Sequence, residues 1–136
     1  MEAITNRKIK NQRIRVVVAD DSQPIRETIV KVLTPYFDVV GTAADGRTAL
    51  EIIQHLKPDV AILDMSMPYK TGIEIAADLK ASASEVKVVI ISTHADEVYI
   101  HAARSAGALA YLVKTSLGDQ LIPAIESAYT GTKTWV

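Results

Sequence analysis

Short apolar runs alternate with longer amphipathic segments along the whole chain. The runs are rich in Val, Ile and Ala and predict five strands, over residues 14–19, 37–42, 60–63, 86–91 and 108–113. Between and after them, apolar residues recur every three or four positions, as in Ile25, Ile29, Val32 and Leu33, which predicts a helix after each strand. The later helices are expected near 96–105 and 117–129.

Helix-start and helix-stop signals fall between the runs. Ser22 or Asp21 can cap the first helix, with Pro24 tolerated in its first turn, and Asp45-Gly46 opens the second helix. Crossovers of a dozen or more residues between consecutive strands favour right-handed βαβ units. The pattern therefore predicts a three-layer (βα)5 α/β fold, a doubly wound wholly parallel sheet with helices on both faces, although alternation alone leaves the strand order open.

Composition fits one ordinary globular domain. The chain has 136 residues, of which 49% are hydrophobic and 23% charged, with a net charge of −1. This charge gives no reason to expect a global nucleic-acid or membrane-surface binder. Cysteine is absent, which excludes disulfides, thiolate metal sites and cysteine nucleophiles. No signal peptide or apolar run of transmembrane length is visible, so we expect a cytoplasmic protein with no membrane partner.

Three parts of the chain are distinguished by their pattern. Residues 1–13 lack periodicity and read as a flexible leader, residues 14–130 hold the domain, and residues 131–136 read as a tail or the start of a linker. A cluster of basic residues lies in and beside the leader and is interpreted as solvated. Its members are Arg7, Lys8, Lys10, Arg13 and Arg15.

Polar residues stop the apolar runs at their carboxyl ends. Asp20-Asp21 follow the first strand, Asp64 the third, Ser92 the fourth and Lys114 the fifth. Because parallel strands end at one edge of the sheet, where α/β proteins bind ligands, we expect these side chains to converge. Three clustered carboxylates repel one another unless a cation joins them, and a hard divalent ion such as Mg²⁺ suits oxygen ligands.

The remaining groups suggest what the carboxylates do. A lysine ammonium and a serine hydroxyl across the pocket would bind the oxygens of an anion brought to a carboxylate. Phosphoryl transfer to Asp64 uses every one of these groups, whereas the alternative of helix caps and turn residues requires several coincidences at strand ends.

These motifs, in this order, resemble the receiver domain of bacterial response regulators. The resemblance rests on Asp20-Asp21, on Asp64 with Pro68 four residues later, on Ser92, and on the Tyr111-Leu112-Val113-Lys114 end of the fifth strand. It covers residues 14–130. The Ser-Thr-His and Gly-Ala-Leu-Ala-Tyr-Leu-Val-Lys stretches look most like the NarL/LuxR-type subfamily, which carries a DNA-binding domain.

The resemblance implies a fold and a set of roles. The fold is flavodoxin/CheY-like with strand order 2-1-3-4-5. Asp64 would accept a phosphoryl group from a histidine kinase or phosphotransfer protein in a two-component system or phosphorelay. Asp21, Asp64 and the Ser66 carbonyl would bind Mg²⁺, with Asp20 acting through water. Ser92 and Lys114 would contact the phosphoryl oxygens.

The same resemblance implies how the signal leaves the domain. Tyr111 would be the aromatic switch residue on the face formed by helix 4, strand 5 and helix 5. That face would control a partner, a phosphorylation-dependent homodimer or a DNA-binding output domain outside this sequence, while the domain itself would not contact nucleic acid. It would be a phosphoacceptor with slow self-dephosphorylation rather than an enzyme.

Two other interpretations remain open. A Mg²⁺-dependent phosphohydrolase with an aspartate nucleophile usually carries a second Asp two residues after the first, and here that residue is Ser66. A degenerate receiver that acts only as a docking domain usually lacks part of the acid set, and here the set is complete.

Overall fold

The computed structural model describes residues 13–135, in which strands and helices alternate. The strands are β1 (Arg15–Ala19), β2 (Asp38–Ala43), β3 (Val60–Asp64), β4 (Lys87–Ser92), β5 (Ala110–Val113) and β6 (Thr134–Trp135). The helices are α1 (Gln23–Leu33), α2 (Gly46–Leu56), α3 (Gly72–Ala81), α4 (Glu97–Ser105) and α5 (Leu117–Tyr129), and a 3₁₀ turn (Lys114–Ser116) precedes α5.

The strands form one parallel sheet in the order β2-β1-β3-β4-β5-β6. This confirms the predicted fold class and the order of its first five strands. All five residues of the central strand β3 are buried, as expected for a strand covered by helices on both faces. One apolar layer lies between the sheet and α2, α3 and α4, and the other lies between the sheet and α1 and α5.

The sixth strand was not predicted. It lies in the stretch that the sequence suggested as a tail or linker, and it pairs with β5 at the edge of the sheet. A strand of two residues is too short to produce the apolar run or alternation by which strands are recognised in a sequence.

Local capping explains most of the remaining boundaries. The Ser22 hydroxyl accepts a hydrogen bond from the Ile25 amide, and the Asp45 carboxylate accepts one from the Thr48 amide, as predicted for the first two helices. Strand β5 begins at Ala110 rather than 108, because the Ala108 amide donates to the Ala103 carbonyl and so still belongs to the end of α4.

The amino-terminal basic cluster is only partly described. Arg7, Lys8 and Lys10 lie outside residues 13–135. The Arg13 and Arg15 guanidiniums donate to the carbonyls of Thr34 and Lys57, at 2.8 and 2.9 Å, so both residues tie β1 to neighbouring turns. Over the described residues, none of the helices is long and apolar enough to cross a membrane.

Candidate functional site

The carboxyl edge of the sheet gathers the polar residues that the sequence singled out. Asp20 follows β1, Asp64 and Ser92 are the last residues of β3 and β4, and Lys114 follows β5. Within residues 13–135, the buried polar or charged residues are Asp20, Asp64 and Ser92. Burying polar groups costs free energy unless they have partners, so their concentration at one edge marks this edge as the functional site.

Lys114 connects the two buried carboxylates. Its ammonium lies 2.9 Å from Asp20 Oδ2 and 3.2 Å from Asp64 Oδ2, and its side chain is mostly buried. Two carboxylates on one side of the sheet edge therefore share a single cation. Asp21 is exposed at the rim of the same cluster.

Backbone amides fix the other carboxylate oxygens. The Ser22 amide donates to Asp20 Oδ1 at 2.9 Å, and the Ser66 amide donates to Asp64 Oδ1 at 3.2 Å. In both cases the donor lies two residues after the acid, so the loop that follows each strand orients the acid at its end. The pocket is thus preorganised by local chain geometry as well as by the ion pairs.

Arg26 is a positioning residue that the sequence did not reveal. From α1, its guanidinium donates to the Asp20 backbone carbonyl at 2.7 Å and holds the β1–α1 connection. An arginine on the first turns of an amphipathic helix reads as a solvated side chain, and no motif distinguishes it. Only the three-dimensional path of the β1–α1 connection shows its role.

A close approach of backbones completes the wall of the pocket. Gly72 opens α3 against the end of β3, and a Cβ atom at this position would lie 2.5 Å from the Asp64 carbonyl oxygen. Only glycine allows helix and strand to approach so closely. The loop between Asp64 and α3 is therefore held against the site by packing that a larger residue would break.

Electrostatics in the pocket favour a bound cation. Burial, and to a smaller extent the charge of Asp20, raises the pKa of Asp64 from 3.8 to about 6, although the Ser66 amide and Lys114 oppose this shift. Burial lowers the pKa of Lys114, but the hydrogen bond to Asp20 and the charges of both acids outweigh it, so the net shift is upward. A cation bound in the pocket would favour the ionised form of Asp64, which burial and the charge of Asp20 disfavour.

The oxygen geometry also fits a hard divalent ion. One carboxylate oxygen from each of Asp20, Asp21 and Asp64 lies within 4.8 Å of the others. Asp20 Oδ2 is buried, and its partner is the Lys114 ammonium at 2.9 Å. A buried carboxylate oxygen beside two further carboxylates has the ligand chemistry that Mg²⁺ prefers.

Ser92 and Tyr111 lie beside this cluster, and both are hydrogen-bonded to the loop that follows β4. The Ser92 hydroxyl accepts a hydrogen bond from the His94 amide at 3.0 Å. Tyr111 is fully buried and its hydroxyl donates to the His94 carbonyl at 2.7 Å. The resemblance implies that Tyr111 is the switch residue, and in this structure its ring lies inward, in the core.

Ser66 is the remaining predicted ligand. It is exposed in the loop after β3, two residues from Asp64, which is compatible with the suggested role of its carbonyl. The structure therefore brings together Asp20, Asp21, Asp64 and Lys114 by measured contacts, and it places Ser92 and Ser66 at the same edge.

Comparisons with known proteins agree on one family. A family model described as "Response regulator receiver domain" matches residues 16–126. The transcriptional regulatory protein DegU of Brevibacillus brevis is 35% identical over 128 residues, which cover 93% of this chain and 54% of that protein. The oxygen regulatory protein NreC of Staphylococcus epidermidis is 36% identical over 121 residues, covering 87% and 56%. The chain thus spans about half the length of these curated relatives.

Solved structures match over nearly their whole length. The signal receiver domain of the response regulator NarL from Mycobacterium tuberculosis superposes with a TM-score of 0.85 at 35% identity, covering 88% of this chain and 98% of that one. A LuxR-family DNA-binding response regulator from Staphylococcus aureus superposes with a TM-score of 0.82 at 25% identity, covering 85% and 98%.

Proposed function

This chain belongs to the response regulator receiver family of two-component transcription regulation, and from that premise we propose that it is a phosphorylation-activated switch whose phosphoacceptor is Asp64. The single observation that carries the proposal is the setting of this carboxylate. It is buried at the end of the central strand, with one oxygen held by the Ser66 amide and the other 3.2 Å from the Lys114 ammonium.

The proposed reaction is a displacement at phosphorus. One carboxylate oxygen of Asp64 forms a bond to the phosphorus of a phosphohistidine, on a histidine kinase or phosphotransfer protein, or of a small acyl phosphate. The bond from phosphorus to the donor breaks, and the donor keeps the electron pair. The Lys114 ammonium, 3.2 Å from Asp64 Oδ2, would bind a phosphoryl oxygen and so stabilise the charge that develops in the transition state.

Asp21, Asp64 and the Ser66 carbonyl would hold Mg²⁺, with Asp20 supporting through water. The ion would neutralise part of the negative charge of the acids and of the incoming phosphoryl group. Without it, burial and Asp20 both oppose ionisation of Asp64, as its raised pKa indicates. The carboxylate of Asp64 must be ionised to act as a nucleophile. The cation and Lys114 would both stabilise this ionised form.

The site favours storage of the phosphoryl group over rapid turnover. A phosphohydrolase of this kind usually carries a second Asp two residues after the nucleophile, which activates water or protonates the leaving group. The residue two positions after Asp64 is Ser66, whose hydroxyl is a weak base. We therefore propose slow self-dephosphorylation, which suits a signalling switch.

The proposed output face is formed by α4, β5 and α5. Ser92 and Lys114 would bind phosphoryl oxygens, and Tyr111 would report the change to this face, which then controls a protein partner or a homodimer. DegU and NreC are named as regulatory proteins and are longer than this chain, which supports a role in transcription regulation. We propose that the domain acts in the cytoplasm. On this proposal, contact with nucleic acid would belong to another domain.

Phosphorylation by acetyl phosphate tests the proposal. With Mg²⁺, intact-mass measurement should show one added, acid-labile phosphoryl group, and Asp64→Asn should abolish it. Asp38→Asn, at the exposed start of β2, is a matched control and should be labelled like the wild type. Equal labelling of Asp64→Asn would refute the assignment. Failure of the wild type to accept phosphate from either acetyl phosphate or a kinase would favour the degenerate docking domain instead.

A further inference from the structure

The segment after α5 folds back onto the sheet. Gly131 has φ of +86°, a left-handed conformation that favours glycine, and the amides of Gly131 and Thr132 donate to the carbonyls of Ala128 and Ser127. This turn sends the chain along the edge of β5. Thr134 and Trp135 then pair in parallel with Ala110 and Tyr111.

Trp135 joins this segment to α4 as well. The Arg104 guanidinium on α4 lies 4.9 Å from the centre of the Trp135 ring, within the range of a cation–π contact. The half-buried ring packs against the apolar cluster that contains Tyr111. Trp135 therefore contacts both β5 and α4. Tyr111 connects the same two elements, because it lies on β5 and its hydroxyl donates to the carbonyl of His94, just before α4.

We propose that residues 132–135 are a detachable latch, and that the latch and the phosphorylation site are coupled through Tyr111. The latch is held by a two-residue strand, the Arg104 contact and the packing of one half-buried ring, while residues 131–133 are exposed. Elements with few buried contacts open at low free-energy cost. Because Trp135 packs against the cluster that contains Tyr111, the docked latch and the inward position of Tyr111 stabilise each other.

Docking of the latch also determines whether the edge of β5 is free to bind another strand. The edge of β5 would otherwise present unpaired amides and carbonyls to any extended segment. While β6 is docked, this edge is occupied. A partner that adds a strand to β5 must therefore displace the latch, which makes residues 132–135 an intramolecular competitor at the proposed output face.

The docking itself can be measured without phosphorylation, because Trp135 is the single tryptophan of the chain. Acrylamide should quench its fluorescence less than that of N-acetyl-tryptophanamide. Arg104→Gln should shift the docking equilibrium toward the open latch by about two- to fivefold and so increase quenching. Gly131→Val, which opposes the left-handed turn, should do the same.

A matched control is available at the other side of the molecule. The Arg47 guanidinium lies 4.1 Å from the centre of the Tyr69 ring, so Arg47→Gln removes the same kind of contact far along the chain from the latch. This variant should leave Trp135 quenching unchanged. Quenching of the wild type equal to that of N-acetyl-tryptophanamide, or no response to either Arg104→Gln or Gly131→Val, would overturn the latch.

The coupling rests on the proposed function, and it needs its own readout. Beryllofluoride with Mg²⁺, or acetyl phosphate followed by intact-mass measurement, should lower Trp135 quenching, because a phosphoryl oxygen that draws the Ser92 hydroxyl inward would leave room for the inward Tyr111 ring, and Ser92 and Tyr111 bond the same residue, His94. A phosphorylated protein with unchanged quenching would refute the coupling and leave the phosphoacceptor assignment intact. A protein that accepts no phosphate would refute the proposed function, and with it the coupling, whereas the Arg104 and Gly131 variants would still decide the docking.

Discussion

The acidic pocket and the edge formed by α4, β5 and β6 are built in opposite ways. In the pocket, both buried acids are held by a backbone amide and by Lys114, at distances of 2.9 to 3.2 Å. At the edge, α4 has nine residues and buries only Ile100 and Ala103, and the side chain of Asp96 before it makes no capping hydrogen bond. Val98 on its outer side is 68% exposed.

On the proposed function, the pocket carries out phosphoryl transfer and the edge changes conformation in response. A phosphoryl acceptor needs groups fixed before the reaction, because reorganisation during the reaction would raise the barrier. A signalling surface needs two arrangements of similar free energy, which a short helix with few buried side chains allows. The following predictions test whether the pocket is in fact the rigid region and the edge the responsive one.

The largest effect is expected at Gly72, in the pocket wall. Gly72→Ala places a Cβ 2.5 Å from the Asp64 carbonyl oxygen, and that atom belongs to backbone that cannot move aside easily. We expect a loss of about 3 kcal/mol in the free energy of unfolding. Urea denaturation measures it.

Gly118 provides the matched control for this substitution. It lies in α5, and an added Cβ would meet nothing within 4 Å, so Gly118→Ala should stabilise the protein by about 0.5 to 1 kcal/mol through the unfolded state. Similar effects of the two substitutions would contradict a closely packed, rigid pocket wall.

Mg²⁺ should produce the next largest effect. At 100 times its dissociation constant, binding to the folded state alone adds about 2.7 kcal/mol to the free energy of unfolding. Asp64→Asn should raise the metal-free stability, since it removes a buried charge, and should blunt the response to Mg²⁺. Asp21→Ala should act in the same direction. Thermal melts of wild type that do not depend on the metal would argue against a metal site.

Most of the fold was predictable from the sequence, for a physical reason. Strands buried on both faces must be apolar runs, and β3 and β4 are, so Val60–Asp64 and Lys87–Ser92 were located to within one residue. Polar residues that end such runs must meet at one edge, which predicted that Asp20, Asp64 and Lys114 converge, as they do. The strand order needed the family resemblance, because alternation permits several orders.

What the sequence did not reveal depends on contacts without a local pattern. Strand β6 is stabilised by the edge of β5 and by Arg104, more than 30 residues earlier than Trp135, and its own two residues carry no period. The inward position of Tyr111 depends on the His94 carbonyl, which any residue would supply. Contacts of this kind, between residues far apart in the chain, produce no local pattern of residue types.

A smaller effect is expected from pH. The folded-state pKa of Asp64, about 6, lies above its unfolded value of 3.8, so between these values the folded protein binds more protons than the unfolded one. The metal-free stability should therefore fall as pH rises from about 4 to 6.5. We expect about 1 kcal/mol from Asp64, less than the full shift of two pKa units implies, because solvent at the pocket rim screens the charge.

Comparison with Asp64→Asn isolates this contribution. The difference in free energy of unfolding between this variant and the wild type should grow in favour of the variant over the same pH range. Saturating Mg²⁺ should abolish the trend, because it favours the ionised carboxylate. A difference independent of pH would contradict the raised pKa of Asp64.

The smallest effect concerns Ser92, which lies where the pocket meets the responsive edge. Moving a two-state equilibrium from 1:99 to 99:1 takes about 5.5 kcal/mol of differential binding, and one hydrogen bond supplies only about 1 kcal/mol. On the proposed function, Ser92 would therefore act together with Lys114, and its loss should weaken the response without removing it. Ser92→Ala also removes the acceptor of the His94 amide, which loosens the loop to which the Tyr111 hydroxyl is bonded.

We expect this variant to accept phosphate from acetyl phosphate but to show smaller amide shifts across residues 95–115 by NMR. Thr93→Ala, which removes the neighbouring exposed hydroxyl, should shift like the wild type, and equal shifts in Ser92→Ala would show that the pocket signals to the edge by another route.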